Sequence, residues 1–169
     1  MRKTLAVALT IVMTLGGLLF GGQASPAAAD DQTMLKFNTM VGVPESFTGT
    51  QNPIRGINGG GLPWMLTSAE GRLSSDGRLQ LQINGLVLAA GSNAGTNPIA
   101  NFRVIVSCLT TGGLVDNETS DLFPATTGPA LTGGGDAHIV TTFALPSPCI
   151  APIVFVTSPG GAWFAATGR

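Results

Sequence analysis

His138 is the only histidine of the chain, and it is the first residue to consider for catalysis. A Ser–His–Asp arrangement needs that base together with an exposed nucleophile and an orienting carboxylate. Asp136 lies two residues before His138, so on a strand both side chains would project to one face. No G-x-S-x-G turn presents a serine, because residues 91–95 read Gly-Ser-Asn-Ala-Gly. We therefore interpret His138 as a solvated or structural histidine and assign no catalytic residue.

An acidic stretch offers the oxygen ligands that calcium needs. Asp116, Glu118 and Asp121 lie close together in a segment that we predict to be a polar loop. Backbone carbonyls could complete such a site, although the spacing departs from the EF-hand pattern. A zinc site is not expected, because one histidine and two cysteines supply too few ligands. Calcium is therefore the one candidate cofactor, and a solvated loop without metal is the preferred interpretation.

Two tryptophans, Trp64 and Trp163, are the candidate ligand-binding residues. Their rings could form a platform that stacks on a sugar ring or on a proline-rich peptide. The alternative is that both indoles belong to the core. The chain contains no tyrosine, a residue that binding surfaces usually favour together with tryptophan.

Hydrolysis of glycosides would require two carboxyl groups that face each other across a cleft. The sequence contains several acidic residues, but their spacing does not indicate which two carboxyl groups would face each other. Asp76 is explained by a turn and Glu70 by the outer face of a strand. A small secreted hydrolase therefore stays an alternative function without assigned residues.

The first residues predict export. Arg2 and Lys3 precede an uncharged apolar stretch over residues 5–20, and residues 27–29 are three alanines. This is the pattern of a cleavable signal peptide over residues 1–29, followed by one domain over residues 30–169. The apolar stretch is shorter than the roughly 20 residues that a membrane-spanning helix needs. We expect a secreted, extracellular domain with no stable membrane insertion after cleavage.

The cysteines and the charged residues limit the classes of partner that the sequence allows. Cys108 and Cys149 are the only cysteines, and an even pair in an exported chain predicts a disulfide. Without Arg2 and Lys3, six scattered basic residues stand against nine acidic ones. Nucleic acid binding needs clustered lysine and arginine, so a nucleic acid partner is not expected. The partner class that remains is an extracellular ligand or protein.

Alternation of apolar and polar residues predicts β-strands throughout the domain. The clearest signal is a hairpin in which Leu73 must oppose Leu79, because any one-residue slip would turn one apolar set outward. That register leaves residues 75–77 as a three-residue loop with a positive φ at Gly77. It also places polar pairs on the outer face, Arg72 with Gln80 and Glu70 with Gln82. Several short strands in about 140 residues favour an antiparallel β-sandwich, with a small β-barrel as the alternative.

The same pattern sets expectations along the rest of the chain. Residues 35–41 are predicted as one strand with Leu35, Phe37, Thr39 and Val41 on one face. Residues 42–63 are predicted as a long loop with a short strand near Phe47, and residues 112–135 as mostly loop. Further strands are expected at residues 102–108, 137–145, 149–156 and 162–166. Of these, residues 150–156 favour an interior strand over an exposed edge.

Several segments together resemble a group of small exported bacterial β-domain proteins with a signal peptide, one cysteine pair and no assigned function. They are residues 76–79, 85–87, 97–98, 104–108, 149–152 and 163–168. The resemblance implies export and the cysteine pairing, and it implies no catalytic residues. Three functions therefore remain: a noncatalytic extracellular binding or structural domain, a small secreted hydrolase, and an assembly subunit of a surface structure. The first is our prediction.

Overall fold

The computed structural model describes residues 32–167, so the predicted signal peptide lies outside the described residues. These residues form thirteen strands and two short 3₁₀ helices, Glu45–Phe47 and Ala130–Thr132. The strands are β1 (Thr33–Phe37), β2 (Met40–Gly42), β3 (Trp64–Met65), β4 (Ser68–Ser74), β5 (Arg78–Asn84), β6 (Val87–Leu88), β7 (Thr96–Asn97), β8 (Asn101–Leu109), β9 (Val115–Pro124), β10 (Gly128–Pro129), β11 (Ala137–Thr142), β12 (Ile150–Thr157) and β13 (Trp163–Thr167).

Two antiparallel sheets carry the fold. A four-stranded sheet has the order β1-β4-β5-β11, and a five-stranded sheet has the order β2-β13-β12-β8-β9. Four short strands form two further two-stranded sheets, one of β3 with β6 and one of β7 with β10. No described sheet closes into a barrel, so the predicted all-β sandwich is confirmed over its barrel alternative.

One apolar core lies between the two sheets. The four-stranded sheet contributes Leu73, Leu79 and Ile83, all fully buried. The five-stranded sheet contributes Phe102 and Val156 to the same cluster. Since side chains alternate along a strand, burying one face of β4 and β5 leaves their other side chains on the solvent face.

The predicted hairpin register is confirmed. Leu73 pairs with Leu79, Arg72 with Gln80 and Glu70 with Gln82. Gly77 has a φ of 85°, which closes the three-residue loop. The amide of Gly77 donates to the carbonyl of Ser74 at 3.0 Å. Local patterning was therefore sufficient to place this hairpin.

The predicted disulfide between Cys108 and Cys149 is present, with the two Cα atoms 5.0 Å apart. It joins the end of β8 to the residue before β12, and these two strands are neighbours in the five-stranded sheet. β12 lies between β13 and β8. The prediction that residues 150–156 form an interior strand is therefore confirmed.

The prediction of a single strand over residues 35–41 is wrong. β1 belongs to the four-stranded sheet, and β2 belongs to the five-stranded sheet. The chain crosses between the sheets at residues 38–39, which changes the inward-facing set to Phe37, Met40 and Val43. Val41 consequently points to solvent and is 56% exposed. Sandwich corners are often made by a segment that switches sheets in this way.

Two loop predictions also need correction. The short strand expected near Phe47 is the 3₁₀ helix Glu45–Phe47. Residues 112–135, expected to be mostly loop, contain the ten-residue strand β9. β9 carries few residues that favour strands, and its pairing with β8 decides its conformation.

Candidate functional site

Polar side chains stand in rows on the solvent face of the four-stranded sheet. Glu70 on β4 pairs with Gln82 on β5, which pairs with His138 on β11. The antiparallel register therefore aligns three different hydrogen-bonding groups across three strands. Because neighbouring strands lie about 4.8 Å apart, the row spans about 10 Å from Glu70 to His138.

A second row runs parallel to the first. Lys36 on β1 pairs with Arg72 on β4, which pairs with Gln80 on β5. Two of its three members are cations. Together the rows hold two cationic side chains and one carboxylate, whereas residues 32–167 as a whole contain five Lys and Arg against seven Asp and Glu. This face is therefore more basic than the rest of the described domain.

The two rows line an open cleft of about 550 Å³. Its lining also includes Phe37, Gly71 and Leu81, and the side chains of Phe37 and Leu81 are buried. A cleft of this size falls within the range of 300–1,000 Å³ that is usual for ligand sites.

Most polar groups of this cleft are not used within the fold. Among residues 32–167, the side chains of Lys36, Glu70, Gln80 and His138 have no hydrogen-bond partner. The Gln82 amide makes only long contacts of 3.4 Å, one of them to Oδ1 of Asn84. These donors and acceptors are therefore available to a molecule in the cleft.

The cleft does not bring together a catalytic group. His138 lines it, but Asp136 is engaged elsewhere, since its Oδ1 accepts a 2.8 Å hydrogen bond from the amide of Gly85. The described lining residues include no serine, threonine or cysteine, and Glu70 is their single carboxylate. The described residues that line the cleft with His138 therefore include neither the nucleophile of a triad nor the second carboxylate of a glycosidase.

The two tryptophans do not form an exposed platform. Trp64 is 5% exposed and stacks on Phe164, with ring centroids 3.9 Å apart. Trp163 is 2% exposed and makes edge contacts with Phe47 and Phe155. Stacking on neighbouring rings uses the faces that a sugar would need. The structure thus places Trp64 and Trp163 in the core, against the ligand-binding role predicted for them.

The acidic residues predicted as a calcium loop lie on a strand instead. Asp116, Glu118 and Asp121 belong to β9 at the edge of the five-stranded sheet. Within residues 32–167, no group of three or more His, Cys, Asp or Glu side chains is placed to hold a metal ion. The polar loop on which the calcium hypothesis depended is therefore a strand. Charged side chains on an edge strand commonly prevent pairing with another chain.

Sequence reasoning missed Arg55, which lies in a loop of glycine, proline and asparagine. Its guanidinium donates to the carbonyl of Ser107 at 2.8 Å and to the carbonyl of Ala151 at 2.7 Å. Its own carbonyl accepts from Nδ2 of Asn117 at 3.1 Å. Burial lowers the pKa of Arg55. Arg55 therefore ties its loop to β8, β9 and the start of β12.

Arg55 and Ala151 share an unusual backbone conformation. They have φ values of 50° and 46°, and they are the only non-glycine residues with positive φ in the described part of the chain. A side chain at such a φ costs about 1–2 kcal/mol. At Ala151 the pairing of β12 with β8 is irregular, since the register shifts between Ile150 and Ile153. The hydrogen bond from Arg55 to Ala151 thus joins two strained positions, and neither was visible in the residue pattern.

No protein-family model, curated protein or solved structure matches this chain. Within residues 32–167, no helix is long and apolar enough to cross a membrane.

Proposed function

We propose that this chain is a noncatalytic binding domain that is exported and that binds an acidic glycan in the polar cleft of the four-stranded sheet. The observation that carries the proposal is the cleft itself, with its two rows of hydrogen-bonding side chains. A polar outer face alone would be ordinary for an antiparallel sheet. What distinguishes this face is an open cleft with several polar side chains that have no hydrogen-bond partner among the described residues.

The ligand class follows from the chemistry of the rows. Gln80, Gln82 and Glu70 can donate to or accept from hydroxyl groups, as a glycan requires. Lys36 adds positive charge at one side of the cleft, where carboxylate groups of a uronic acid polymer would be attracted. The approximately 10 Å rows suit an extended chain better than a compact molecule.

Export is part of the proposal. A disulfide persists mainly in oxidising compartments, and the Cys108–Cys149 bond agrees with the predicted signal peptide and with the resemblance to small exported bacterial β-domain proteins. Expression of the full chain in a secreting bacterial host should yield an extracellular product that begins at Asp30. Mass spectrometry of the intact product checks this, and retention of residues 1–29 on a cell-associated protein would contradict it.

Binding is tested by calorimetric titration of the disulfide-bonded domain with oligogalacturonate and with dextran oligomers of equal length. We expect oligogalacturonate to bind and dextran to bind at least tenfold more weakly, because only the former carries carboxylates. Lys36→Glu should weaken oligogalacturonate binding about tenfold, which corresponds to about 1.4 kcal/mol. Arg78→Glu is the matched control, since it reverses a charge on β5 outside the cleft lining.

The glycan proposal fails if oligogalacturonate does not bind, or if Lys36→Glu and Arg78→Glu weaken binding equally. The second result would indicate a diffuse electrostatic attraction. Gln82→Ala should also reduce affinity without lowering the unfolding midpoint, because the Gln82 side chain makes only long contacts within the fold.

A further inference from the structure

A second cleft lies beside β1 and adjoins the proposed glycan site, with which it shares residues 36–38. It has a volume of about 590 Å³ and is lined on one side by residues 34–39 and on the other by Arg55, residues 151–153 and Thr167. β1 is the edge strand of its sheet, and within the described residues it pairs only with β4. The cleft therefore lies between the edge of one sheet and the irregular start of β12 in the other.

The walls of this cleft are mainly apolar. Met34, Leu35 and Phe37 contribute from β1, and Pro152 and Ile153 from β12. Small-molecule sites typically combine such walls with a few placed polar groups. An apolar body of a ligand would be removed from water here, which is the main source of binding energy for such molecules.

The charged groups of the cleft have one sign. Lys36 stands on one wall and Arg55 on the other, and the described lining contains no Asp or Glu. Arg55 has five N–H donors. Two of its donors are held by the carbonyls of Ser107 and Ala151, and among residues 32–167 no carboxylate pairs with it. The positive charge is thus fixed in position and not neutralised within the described domain.

Two residues with strained backbone also line the second cleft. Arg55 and Ala151 both line this cleft and both have a positive φ. Strained conformations persist where surrounding contacts enforce them, and they concentrate at ligand sites. The cleft, its single-sign charge and the strained pair are independent observations that coincide at one site.

We propose that this second cleft binds an amphipathic carboxylate, a molecule with an apolar body and one terminal carboxyl group. The carboxylate lies between Lys36 and Arg55, and the apolar body lies along β1 against Pro152 and Ile153. This proposal does not depend on the glycan proposal, although Lys36, Phe37 and Asn38 line both clefts.

The test uses decanoate below its micelle-forming concentration, titrated into the disulfide-bonded domain and followed by calorimetry and by amide chemical shifts. Decanol and decyltrimethylammonium are the matched probes with the same chain and a different charge. We expect decanoate to bind at least tenfold more tightly than either, with shifts at Thr39 and Ala151. Equal affinity for all three probes, or shifts confined to other regions, would overturn the proposal.

Thr39 allows a variant that addresses this cleft alone. It is exposed, lines the second cleft and is absent from the lining of the glycan cleft. Thr39→Glu introduces a carboxylate near the bound one and should weaken decanoate about tenfold, whereas Thr39→Gln, of similar size and uncharged, should weaken it much less. Equal effects of the two variants would refute recognition of the carboxylate.

The glycan proposal and the carboxylate proposal can be refuted independently of each other. Thr39→Glu should leave oligogalacturonate affinity unchanged, and Gln82→Ala should leave decanoate affinity unchanged, because each residue lines one cleft only. Loss of decanoate binding in Gln82→Ala would contradict a site beside β1. Thermal unfolding of each variant shows whether a loss of binding reflects a loss of folding.

Discussion

Replacement of Arg55 tests whether its hydrogen bonds outweigh the strain of its backbone. Arg55→Ala removes the two bonds to Ser107 and Ala151 but keeps a side chain at a φ of 50°. A hydrogen bond to a charged group contributes about 1.5–3 kcal/mol when buried. One of these bonds is exposed and the other is partly buried, so solvent screening reduces their sum to about 2 kcal/mol. The free energy of unfolding should fall by about that amount.

Arg55→Gly removes the same two bonds and also relieves the backbone. Glycine adopts positive φ without the steric penalty of about 1 kcal/mol that a side chain carries. The glycine variant should therefore be more stable than the alanine variant by about 1 kcal/mol. Elsewhere on a protein surface the order of these two substitutions is ordinarily the reverse or neutral.

Urea unfolding of both variants, with equal m-values, measures the difference. Ala151→Gly is the matched control, because it relieves a φ of 46° and leaves the carbonyl that Arg55 binds. It should raise the free energy of unfolding by up to about 1 kcal/mol. The reasoning is refuted if Arg55→Gly is no more stable than Arg55→Ala, or if neither differs from the parent protein.

Three further predictions concern stability. Replacing both Cys108 and Cys149 with alanine should lower the free energy of unfolding by about 4 kcal/mol by loop-closure entropy, since the bond joins residues 41 apart; an unchanged urea midpoint would contradict this. Gly77→Ala should destabilise the domain more than Gly95→Ala, because both glycines have similar positive φ but only at Gly77 would a Cβ meet the carbonyl oxygen of Phe143; equal unfolding midpoints would show that the space is not limiting. Leu73→Ala should lower the free energy of unfolding by about 2–5 kcal/mol, because it leaves a cavity at a side chain that is fully buried in the core. Denaturant titration measures this loss, and a much smaller value would contradict the core position of Leu73.

The sequence alone determined the features that depend on neighbouring residues. The register of Leu73 with Leu79 follows from side-chain alternation on each side of a three-residue turn, and both signals are local. The buried face of β8 and the single cysteine pair could also be predicted, because apolar alternation and the absence of other thiols leave few alternatives. The polar pairs of the first cleft were predicted to form a solvent face, but alternation does not show that an open cleft lies on that face.

Tertiary structure decided what depends on distant segments. Residues 116–121 read as loop, and only pairing with β8 makes them a strand. Trp64 and Trp163 could have been exposed or buried, and contacts with rings from other segments place both in the core. The crossing at residues 38–39 leaves β1 at a free edge and thereby opens the second cleft beside Arg55. Residue patterns encode which face of a segment is apolar, whereas the partner that covers that face is selected by the packing of the whole chain.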